Sequence, residues 1–434
     1  MSLAVYNVLL TVLIVIAFPF AVIALILRPR YRIGLGQRLG RLPSDVIQLT
    51  QGTAPFWLHA PSVGELLATR PFLYTLKARF PDTPLVVSVQ TTTAYQTAIE
   101  RCPEADGVFY FPLDYPLVSR RVLKRIGPQV FFFTETEIWP NMLASLVRRR
   151  IPVLLVSGRF SRRAQQHYGL LSPVFRPILQ SITACCMQTQ EDAQRLIAAG
   201  ADTQRVQVTG NFKVDGVNGG GDAGRTILVQ TGLGDRPLLI GASTHDSEEA
   251  VLLQAVRELR GTLPHLLLLL APRHPERFSS VEALLQRQDW RYIKRSACSA
   301  PAPPDTEVFL LDTLGELVSF YAAASLVFVG GSLIRGPGGH SMIEPALVGV
   351  PVCFGPYTHN FSSIVAELKK AQGGIEIYDA HSLYDAALPL LTDANLRQKT
   401  GALARKTIEQ QQGAVERTLD VVLQHCSTCA PSHS

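Results

Sequence analysis

The sequence predicts two α/β domains of similar size, each built on a parallel sheet, behind an apolar amino-terminal helix. The chain has 434 residues, which is enough for two or three domains. Past residue 50, short continuous apolar runs alternate with amphipathic stretches, a pattern typical of buried parallel strands covered by helices on both faces. Hydrophobic residues make up 47% and charged residues 18%, which excludes a disordered or fibrous chain.

The run from Leu3 to Leu27 has no charged residue and exceeds the roughly 20 apolar residues that cross a hydrocarbon core. Arginines follow it and none precedes it, so the positive-inside rule places the amino terminus outside and the remainder in the cytoplasm. We therefore predict that residues 1–30 are a single-pass anchor in the inner (cytoplasmic) membrane. A cleaved signal peptide, whose charges precede the apolar core, and a buried core helix are the alternatives.

The first domain is predicted to span residues 31–215. Its apolar runs predict strands at 56–60, 85–89, 130–133 and 152–156, and Gly64 to Phe80 is predicted to be a helix. A parallel sheet follows from this alternation.

The second domain is predicted to span residues 237–425. Its strands are expected at 238–241, 266–270, 308–311 and 326–330, with a helix over 247–260. The glycine-rich residues 216–236 between the domains are predicted to be a hinge. Domains of this kind bind ligands at the carboxyl ends of their strands, so we expect the site in a cleft between them.

Charge and cysteine usage limit the classes of partner. The net charge of +6 and pI near 9.0 fit a phosphate, a nucleotide or an acidic lipid surface, and no long basic run supports nucleic acid. Seven scattered cysteines argue against a disulfide framework. Cys426 and Cys429 lack a second pair of zinc ligands, so no metal site is predicted.

The first candidate site is Ser62-Val63-Gly64-Glu65, between a strand and a helix. Glu65 can act as a general base that takes a proton from an acceptor hydroxyl. The same spacing is also a capping box, which would satisfy backbone donors at the start of the helix. Both interpretations remain open from the sequence.

The second candidate site contains Glu135 and Glu137, which follow a triple-phenylalanine strand. Two carboxylates just past a strand end can hold sugar hydroxyls or position an arginine. The alternative is that they are acids at a helix start, favoured by the helix dipole.

The third candidate site is a glycine-rich loop between a strand and a helix, over residues 330–345. Its backbone N–H groups and the following helix start predict a phosphate site, although a structural glycine turn is the alternative. The loop lacks the GK[ST] of a P-loop. The loop residues assigned to the nucleotide are Gly338, Gly339, His340, Ser341 and Glu344.

Further polar groups follow other predicted strands near the hinge. Arg273 is placed to hold a phosphate through two hydrogen bonds. With it we assign His274, Ser243, His245 and Lys213 to donor binding.

A second group of basic residues is assigned to the acceptor or the membrane surface, with an ordinary solvated face as the alternative. These residues are Arg28, Arg30, Arg32 and Arg159. No Asp-x-Asp motif occurs, which favours charge neutralisation by basic side chains and helix dipoles.

Taken together, these motifs resemble those of the Kdo (3-deoxy-D-manno-octulosonic acid) transferases of lipopolysaccharide assembly, from the anchor to about residue 400. The matching stretches are His59-Ala60-x-Ser62-Val63-Gly64-Glu65, Thr134-Glu135-Thr136-Glu137-Ile138-Trp139-Pro140-Asn141, Thr209-Gly210-Asn211-x-Lys213, Ser243-Thr244-His245, Ala271-Pro272-Arg273-His274-Pro275-Glu276-Arg277, Asp312-Thr313-x-Gly315-Glu316-Leu317, Gly330-Gly331-Ser332-Leu333, Gly338-Gly339-His340 and Gly355-Pro356-x-Thr358-x-Asn360-Phe361.

The resemblance implies a GT-B fold, CMP-Kdo as the donor substrate, a lipid A precursor (lipid IVA) as the acceptor, and no metal or other cofactor. It implies that Glu65 is the base, that Glu137 and Glu135 are needed for activity, and that Arg273 and Glu344 belong to the nucleotide pocket.

Three features depart from the family pattern, and all lie in the donor half. Ser341 stands where the family usually has Asn, the 333–338 loop with Arg335 is longer, and Asp246-Ser247 replaces Pro-Gly. A UDP-sugar transferase or epimerase of the same architecture, and a non-catalytic membrane-anchored binding protein, therefore remain alternatives.

Overall fold

The computed structural model describes residues 3–135, 137–161, 164–166, 168, 172–217, 231–233, 236–298 and 301–425. It divides into two compact units, Met1–Gly216 with Gln412–Ser434, and Val217–Gln411. Each unit contains one seven-stranded sheet. Most of the predicted hinge and the Cys426/Cys429 pair lie outside the described residues.

The sheet of the first unit has the order β3-β2-β1-β4-β5-β6-β7, and its paired strands are parallel. Side chains alternate across it, so Phe56 and Leu58 enter one core layer while Trp57 enters the other. The strands are β1 (Phe56–His59), β2 (Leu85–Val89), β3 (Gly107–Tyr110), β4 (Val130–Thr134), β5 (Val153–Gly158), β6 (Ala184–Met187) and β7 (Val206–Val208).

Helices cover both faces of this sheet, as expected for parallel strands that are buried on each side. The helices of the first unit are Leu3–Leu27, Leu35–Arg38, Ser44–Thr50, Val63–Arg79, Thr92–Arg101, Pro116–Ile126, Pro140–Arg148, Ser172–Ser181, Gln190–Ala198, Phe212–Asp215 and Ala414–His425, with 3₁₀ turns at Pro29–Arg32 and Thr203–Arg205.

The amino-terminal helix Leu3–Leu27 is long and apolar enough to cross a membrane, and its most apolar window has a mean hydropathy of 3.0. None of its residues is buried, so the core-helix alternative is wrong. The Arg32 guanidinium donates to the Leu25 carbonyl at 2.7 Å, which satisfies a free acceptor at the helix end. Near the other end, the Tyr6 hydroxyl donates to Asp114 Oδ2 at 3.4 Å.

The sheet of the second unit has the order β10-β11-β9-β8-β12-β13-β14, again with parallel pairs. As in the first unit, its first strand lies in the middle of the sheet. The strands are β8 (Leu238–Thr244), β9 (Leu267–Pro272), β10 (Tyr292–Lys294), β11 (Val308–Leu310), β12 (Leu326–Val329), β13 (Val352–Phe354) and β14 (Gly374–Glu376).

The helices of the second unit are Glu248–Thr262, Phe278–Arg287, Leu317–Phe320, Ile343–Leu347, Ser362–Lys370, Ala380–Thr392 and Ala394–Glu409, with 3₁₀ turns at Pro275–Arg277, Arg295–Ala297 and Tyr321–Ala323. The strand predictions are confirmed to within about three residues at their ends.

The carboxy-terminal helix Ala414–His425 packs in the first unit, whereas the sequence-based boundary placed residues up to 425 in the second. Asp215 holds the start of this helix, because its carboxylate accepts from Gly413 N at 2.8 Å and Val415 N at 2.6 Å. The expected boundary at residue 425 therefore differs from the structure, since contacts far apart in sequence decide where the last helix lies.

Candidate active site

In the first unit, the candidate residues follow β1 and β4, the neighbouring strands between which the strand order of the sheet reverses. β1 and β4 are parallel neighbours, and β2 lies on the other side of β1. Glu65 follows β1, and Glu135 and Glu137 follow β4. Because parallel neighbours end at the same edge, this is the switch point where open α/β sheets bind ligands.

Glu65 forms the predicted capping box at the start of the helix Val63–Arg79. Glu65 N donates to Ser62 Oγ at 3.4 Å, and Ser62 N donates to Glu65 Oε2 at 3.2 Å. The neighbouring Gly64 is exposed, and a Cβ added there would meet nothing within 4 Å. The cap therefore fixes the carboxylate of Glu65, which stays partly exposed, one residue after this open position.

The pKa of Glu65 is raised to about 7, chiefly by burial and then by the negative charge of Glu135, with a smaller contribution from Glu137. The two hydrogen bonds with Ser62 oppose this rise. A carboxyl group that titrates near neutral pH suits general base catalysis. The structure therefore confirms the capping box, and the raised pKa is compatible with the general-base role.

The two carboxylates after β4 are held in different ways. Glu135 has φ +51°, a left-handed conformation that side-chain-bearing residues rarely adopt and that often marks functional sites. Glu137 accepts a hydrogen bond from Gln90 Nε2 at 3.0 Å, and burial raises its pKa.

Lys213 lies in the first unit, near these carboxylates. Burial lowers its pKa, while the charges of Glu135 and Glu65 raise it and that of Arg159 lowers it further. The sequence assigned Lys213 to the donor and Arg159 to the acceptor surface. In the structure Arg159 lies within electrostatic reach of Lys213, and Lys213 lies within reach of Glu65 and Glu135.

The carboxy-terminal helix supports the segment that carries Lys213. Asn211 Oδ1 accepts from Lys213 N at 3.0 Å, and Thr418 donates to Thr209 at 2.9 Å through their hydroxyls. Arg417 Nε also donates to the Thr209 carbonyl at 2.8 Å. This support could not be predicted from sequence, since about 200 residues separate its two sides.

Sequence reasoning missed Gln90 and did not list Arg38 among the site residues. Arg38 donates to the Gln90 carbonyl, and its guanidinium lies 4.8 Å from the centre of the Tyr110 ring. Gln90 directly follows β2, which pairs with β1. The rule used for the other candidates, a polar residue just past a buried strand, would have found Gln90.

In the second unit, the corresponding position is the end of the neighbouring strands β8 and β12. Ser243 has φ +52° at a register shift in β8. Beyond it, the Nε2 atoms of His245 and His340 lie 2.8 Å apart, and their rings stack with centroids 5.1 Å apart. His274 meets His245 edge-on at 5.3 Å.

The surroundings of His245 and His340 favour the uncharged form of both imidazole rings. The pKa of His340 is lowered to about 4, chiefly by burial and then by His245 and Arg273. Burial also lowers the pKa of His245. Arg273 and His274 are exposed, and Arg273 is close enough for its charge to affect both histidines. The structure thus brings together four predicted donor residues.

The loop after β12 differs from the predicted phosphate cradle. The N–H groups of Gly331, Ser332 and Leu333 donate to the Glu248 carboxylate, and those of Gly339 and His340 donate to the carbonyls of Gly331 and Gly330. The expectation that these five groups face a ligand is wrong, because the protein itself occupies them.

The remaining loop residues are packed locally. The Ser341 hydroxyl donates to Glu344, and burial raises the pKa of Glu344. Gly338 has φ +79°, and a Cβ there would come within 2.3 Å of the His359 ring, so this position requires glycine. Arg335, in the loop that is longer than the family pattern, is exposed and donates to the Tyr357 hydroxyl at 3.2 Å.

The predicted membrane arginines lie just after the apolar helix. Arg28 and Arg32 are exposed, and the side chain of Arg30 lies outside the described part. Within the part of the chain that the structure describes, no group of three or more His, Cys, Asp or Glu residues is arranged to hold a metal ion.

Comparisons with known proteins agree with these features. A family model described as "3-Deoxy-D-manno-octulosonic-acid transferase (kdotransferase)" matches residues 34–216. A 3-deoxy-D-manno-octulosonic acid transferase of Haemophilus influenzae is 34% identical over 405 residues, covering 91% of this chain and 92% of the relative. The corresponding transferase of Bordetella pertussis is 36% identical over 379 residues, covering 85% and 87%.

A solved structure of UDP-GlcNAc 2-epimerase from Neisseria meningitidis bound to UDP-GlcNAc has a TM-score of 0.57 at 14% identity, and the match covers 85% of this chain and 100% of that one. At this identity the likeness concerns the fold alone. With the two Rossmann-like units it confirms the expected GT-B fold class. The relatives, each matched over most of its length, establish more: this chain belongs to the Kdo transferase family of glycosyltransferases.

Proposed function

We propose that this protein transfers Kdo from CMP-Kdo to a lipid A precursor (lipid IVA), with inversion at the anomeric carbon and without a metal or other cofactor. Glu65 removes the proton from the acceptor hydroxyl, whose oxygen attacks the anomeric carbon. The bond between that carbon and the phosphate oxygen breaks, and CMP leaves with the electron pair. One base and one direct displacement give inversion.

The observation that carries this proposal is the raised pKa of Glu65. Its pKa is raised to about 7 by burial and the nearby carboxylates, so near neutral pH it is partly ionised and still basic enough to accept a proton. Glu135 and Glu137 keep this pKa high, and Lys213 offers a compensating positive charge. A hydroxyl-rich acceptor suits such a site, because carboxylates accept hydrogen bonds from hydroxyl groups.

Donor binding is assigned to the second unit. Arg273 is the group best placed to hold the phosphate, since it is exposed at the end of β9 beside the histidine pair. His245, His274 and His340 supply further polar contacts. Glu344 is assigned to the ribose and Ser243 to the same pocket by the positions of these residues in the family motifs, and Ser341 joins them because its hydroxyl donates to Glu344.

The membrane side is assigned to the apolar helix and the arginines after it. An exposed helix with no buried residue supports attachment to a bilayer, where a lipid acceptor is found. The inner membrane and an amino terminus on its outer side follow from the distribution of arginines. This orientation would separate Tyr6 from Asp114, which are in contact in the structure.

A membrane-impermeant maleimide tests the orientation. A Ser2→Cys variant, made in a chain whose other cysteines are replaced, would be labelled in right-side-out vesicles if the amino terminus is outside. Labelling only in inverted vesicles would contradict the proposed orientation and favour retention of the Tyr6–Asp114 contact.

The function is tested by incubating the detergent-solubilised full chain with CMP-Kdo and tetraacylated lipid A precursor and measuring the products by mass spectrometry. The expected product is heavier by one or more Kdo residues, and free CMP is released. Thermal shift with CMP, UMP and UDP is run in parallel. Stabilisation by the uridine nucleotides alone, with no Kdo transfer, would contradict the proposal and favour a UDP-sugar enzyme.

A further inference from the structure

The second unit contains a buried carboxylate that the sequence analysis did not single out. Glu248 is the first residue of the helix Glu248–Thr262 and is 0% exposed. No part of the reaction proposed above uses it. A carboxylate removed from water is destabilising unless its oxygens are paired, so its partners indicate what it does.

Four backbone N–H groups donate to the two oxygens of Glu248. His245 N and Gly331 N donate to Oε2 at 2.9 and 2.7 Å, and Ser332 N and Leu333 N donate to Oε1 at 3.0 and 2.9 Å. All four groups are donors, so only the ionised carboxylate, which is purely an acceptor, can satisfy them together. Burial raises the pKa of Glu248 and the four N–H donors lower it, and its carboxylate occupies a site of the kind that glycine-rich loops offer to phosphates.

These bonds join the ends of the two switch-point strands. His245 follows β8, and residues 331–333 follow β12. The fit is close, because a Cβ added at Gly330 would come within 2.5 Å of the Ser243 carbonyl oxygen and 2.8 Å of Glu248 Oε2. The carboxylate therefore fixes the separation of the two strand ends.

The same network reaches both members of the histidine pair. Glu248 binds the backbone of His245 directly. Glu248 reaches His340 indirectly, through the backbone of residues 330 and 331. Gly331 N donates to Glu248, and the Gly331 carbonyl accepts from Gly339 N at 2.8 Å. The adjacent Gly330 carbonyl accepts from His340 N at 3.2 Å. The 2.8 Å contact between the two imidazoles thus depends on backbone segments that one carboxylate holds.

We infer that Glu248 is a positioning residue that sets the geometry of the His245–His340 pair, and that by filling the loop N–H groups it directs the anionic part of the donor to the side chains of Arg273 and the histidines. Its assignment to donor binding rests on the proposed function, whereas its effect on the histidine pair does not.

Glu249 provides a matched control. It is the next residue on the same helix and is 1% exposed, but its partners are the side chains of Thr244 and Arg277, at 2.8 and 2.6 Å. Glu248→Gln replaces one acceptor oxygen by an NH₂ group that faces two N–H donors. Glu249→Gln makes the same chemical change without touching the backbone of residues 331–333.

The first measurement needs no ligand: imidazole resonances of the full chain are recorded by NMR in wild type and both variants, with His340→Asn and His245→Asn used for assignment. Glu248→Gln is expected to shift the His340 signals, and Glu249→Gln to leave them near the wild-type positions. The His245 titration does not separate the variants, because the charge of Glu249 itself raises the pKa of His245. Unchanged His340 signals in a folded Glu248→Gln protein would overturn the inference, as would equal His340 shifts in both variants.

The second measurement is CMP affinity and the kinetics of transfer. Glu248→Gln is expected to raise the donor KM about tenfold or more while the acceptor KM changes less than about twofold, and Glu249→Gln to change the donor KM less than about threefold.

If wild type binds no CMP, the proposed function fails and the NMR result still judges the positioning role. If wild type binds CMP and Glu248→Gln binds it equally, the positioning role fails. Should Glu248→Gln not fold, Glu248→Asp, one methylene shorter, is measured in its place with the same expectations.

Discussion

The two units use the same sheet position for opposite electrostatics. In each, the residues of interest follow neighbouring parallel strands at the switch point, and a side-chain-bearing residue with positive φ stands there, Glu135 in the first unit and Ser243 in the second. The first unit gathers carboxylates, whose pKa values burial raises. The second gathers imidazoles, whose pKa values burial lowers. Burial thus disfavours the charged form in both units: it makes the carboxylates stronger bases in the first and keeps the imidazoles neutral in the second, where Arg273 supplies the positive charge.

The difference teaches how each unit treats an internal charge. In the first unit Glu65 is held by its capping box but stays partly exposed, so its carboxylate is not fully enclosed. In the second unit the carboxylate of Glu248 is fully buried and accepts from four N–H donors, so it stabilises the fold and is not accessible to a substrate. Burial and pairing, rather than residue type, separate a chemical role from a structural one.

The largest effect is expected from Glu65→Gln. Losing the general base should lower kcat by about 10²- to 10⁴-fold, while CMP affinity stays unchanged because the nucleotide is assigned to the other unit. Steady-state kinetics and calorimetric CMP titration measure the two quantities. Glu100→Gln, an exposed carboxylate on the next helix, is the control. Wild-type kcat in folded Glu65→Gln protein would remove Glu65 from the mechanism.

Arg273→Ala makes the converse test in the second unit. Removing a charge-assisted hydrogen bond, which contributes about 1.5–3 kcal/mol, should weaken CMP binding about 10- to 100-fold. The exposed Arg287 of the same unit serves as the control, as Arg287→Ala. Equal losses in both arginine variants would show that net charge, rather than the position of Arg273, accounts for the affinity.

A smaller effect is expected from Asp215→Ala, which removes the carboxylate that holds the start of the carboxy-terminal helix. Loss of such a cap lowers the free energy of unfolding by about 1–2 kcal/mol. Urea denaturation measures it, with Asp420→Ala, an exposed acid on the same helix, as the control. An unchanged midpoint would contradict the placement of this helix in the first unit.

The most subtle effect concerns the pH profile of Glu135→Gln. The charge of Glu135 raises the pKa of Glu65, so removing it lowers that pKa. The base acts when deprotonated, and the acid limb of kcat/KM should therefore move to lower pH, whatever happens to the maximal rate. Profiles of wild type and Glu100→Gln give the reference. A limb that stays in place or moves to higher pH would show that Glu65 does not titrate under the influence of Glu135.

Much of each sheet could be predicted, because buried parallel strands are continuous apolar runs. The strand Leu85–Val89 was predicted to the residue. Strands such as Gly107–Tyr110 and Ala184–Met187 were missed, since each has only four residues and the second contains no β-branched or aromatic residue. The capping box at Ser62 and Glu65 was predicted correctly, because local spacing determines it.

The site was predicted less completely than the sheets. Glu65, Glu135 and Glu137 were identified from their positions after strands, and Arg273 with three histidines likewise. Lys213 was assigned to the donor, Gln90 was missed, and the loop N–H groups of residues 331–333 were expected to face a phosphate. The neighbours of Lys213 and the partners of the loop N–H groups depend on contacts between segments that are distant in sequence, whereas Gln90 directly follows β2 and could have been found from its position.

The sequence by itself determined the two parallel sheets, the apolar helix, the polar residues at strand ends and the family. Each of these depends on local sequence patterns or on the order of short motifs along the chain. The tertiary structure alone decided that the last helix joins the first unit, that Lys213 stands beside Glu65 and Glu135, and that Glu248 fills the glycine-rich loop. The physical reason is that hydrogen bonding and burial act between atoms that folding brings together, and a pKa or an occupied N–H group depends on those neighbours rather than on position along the chain.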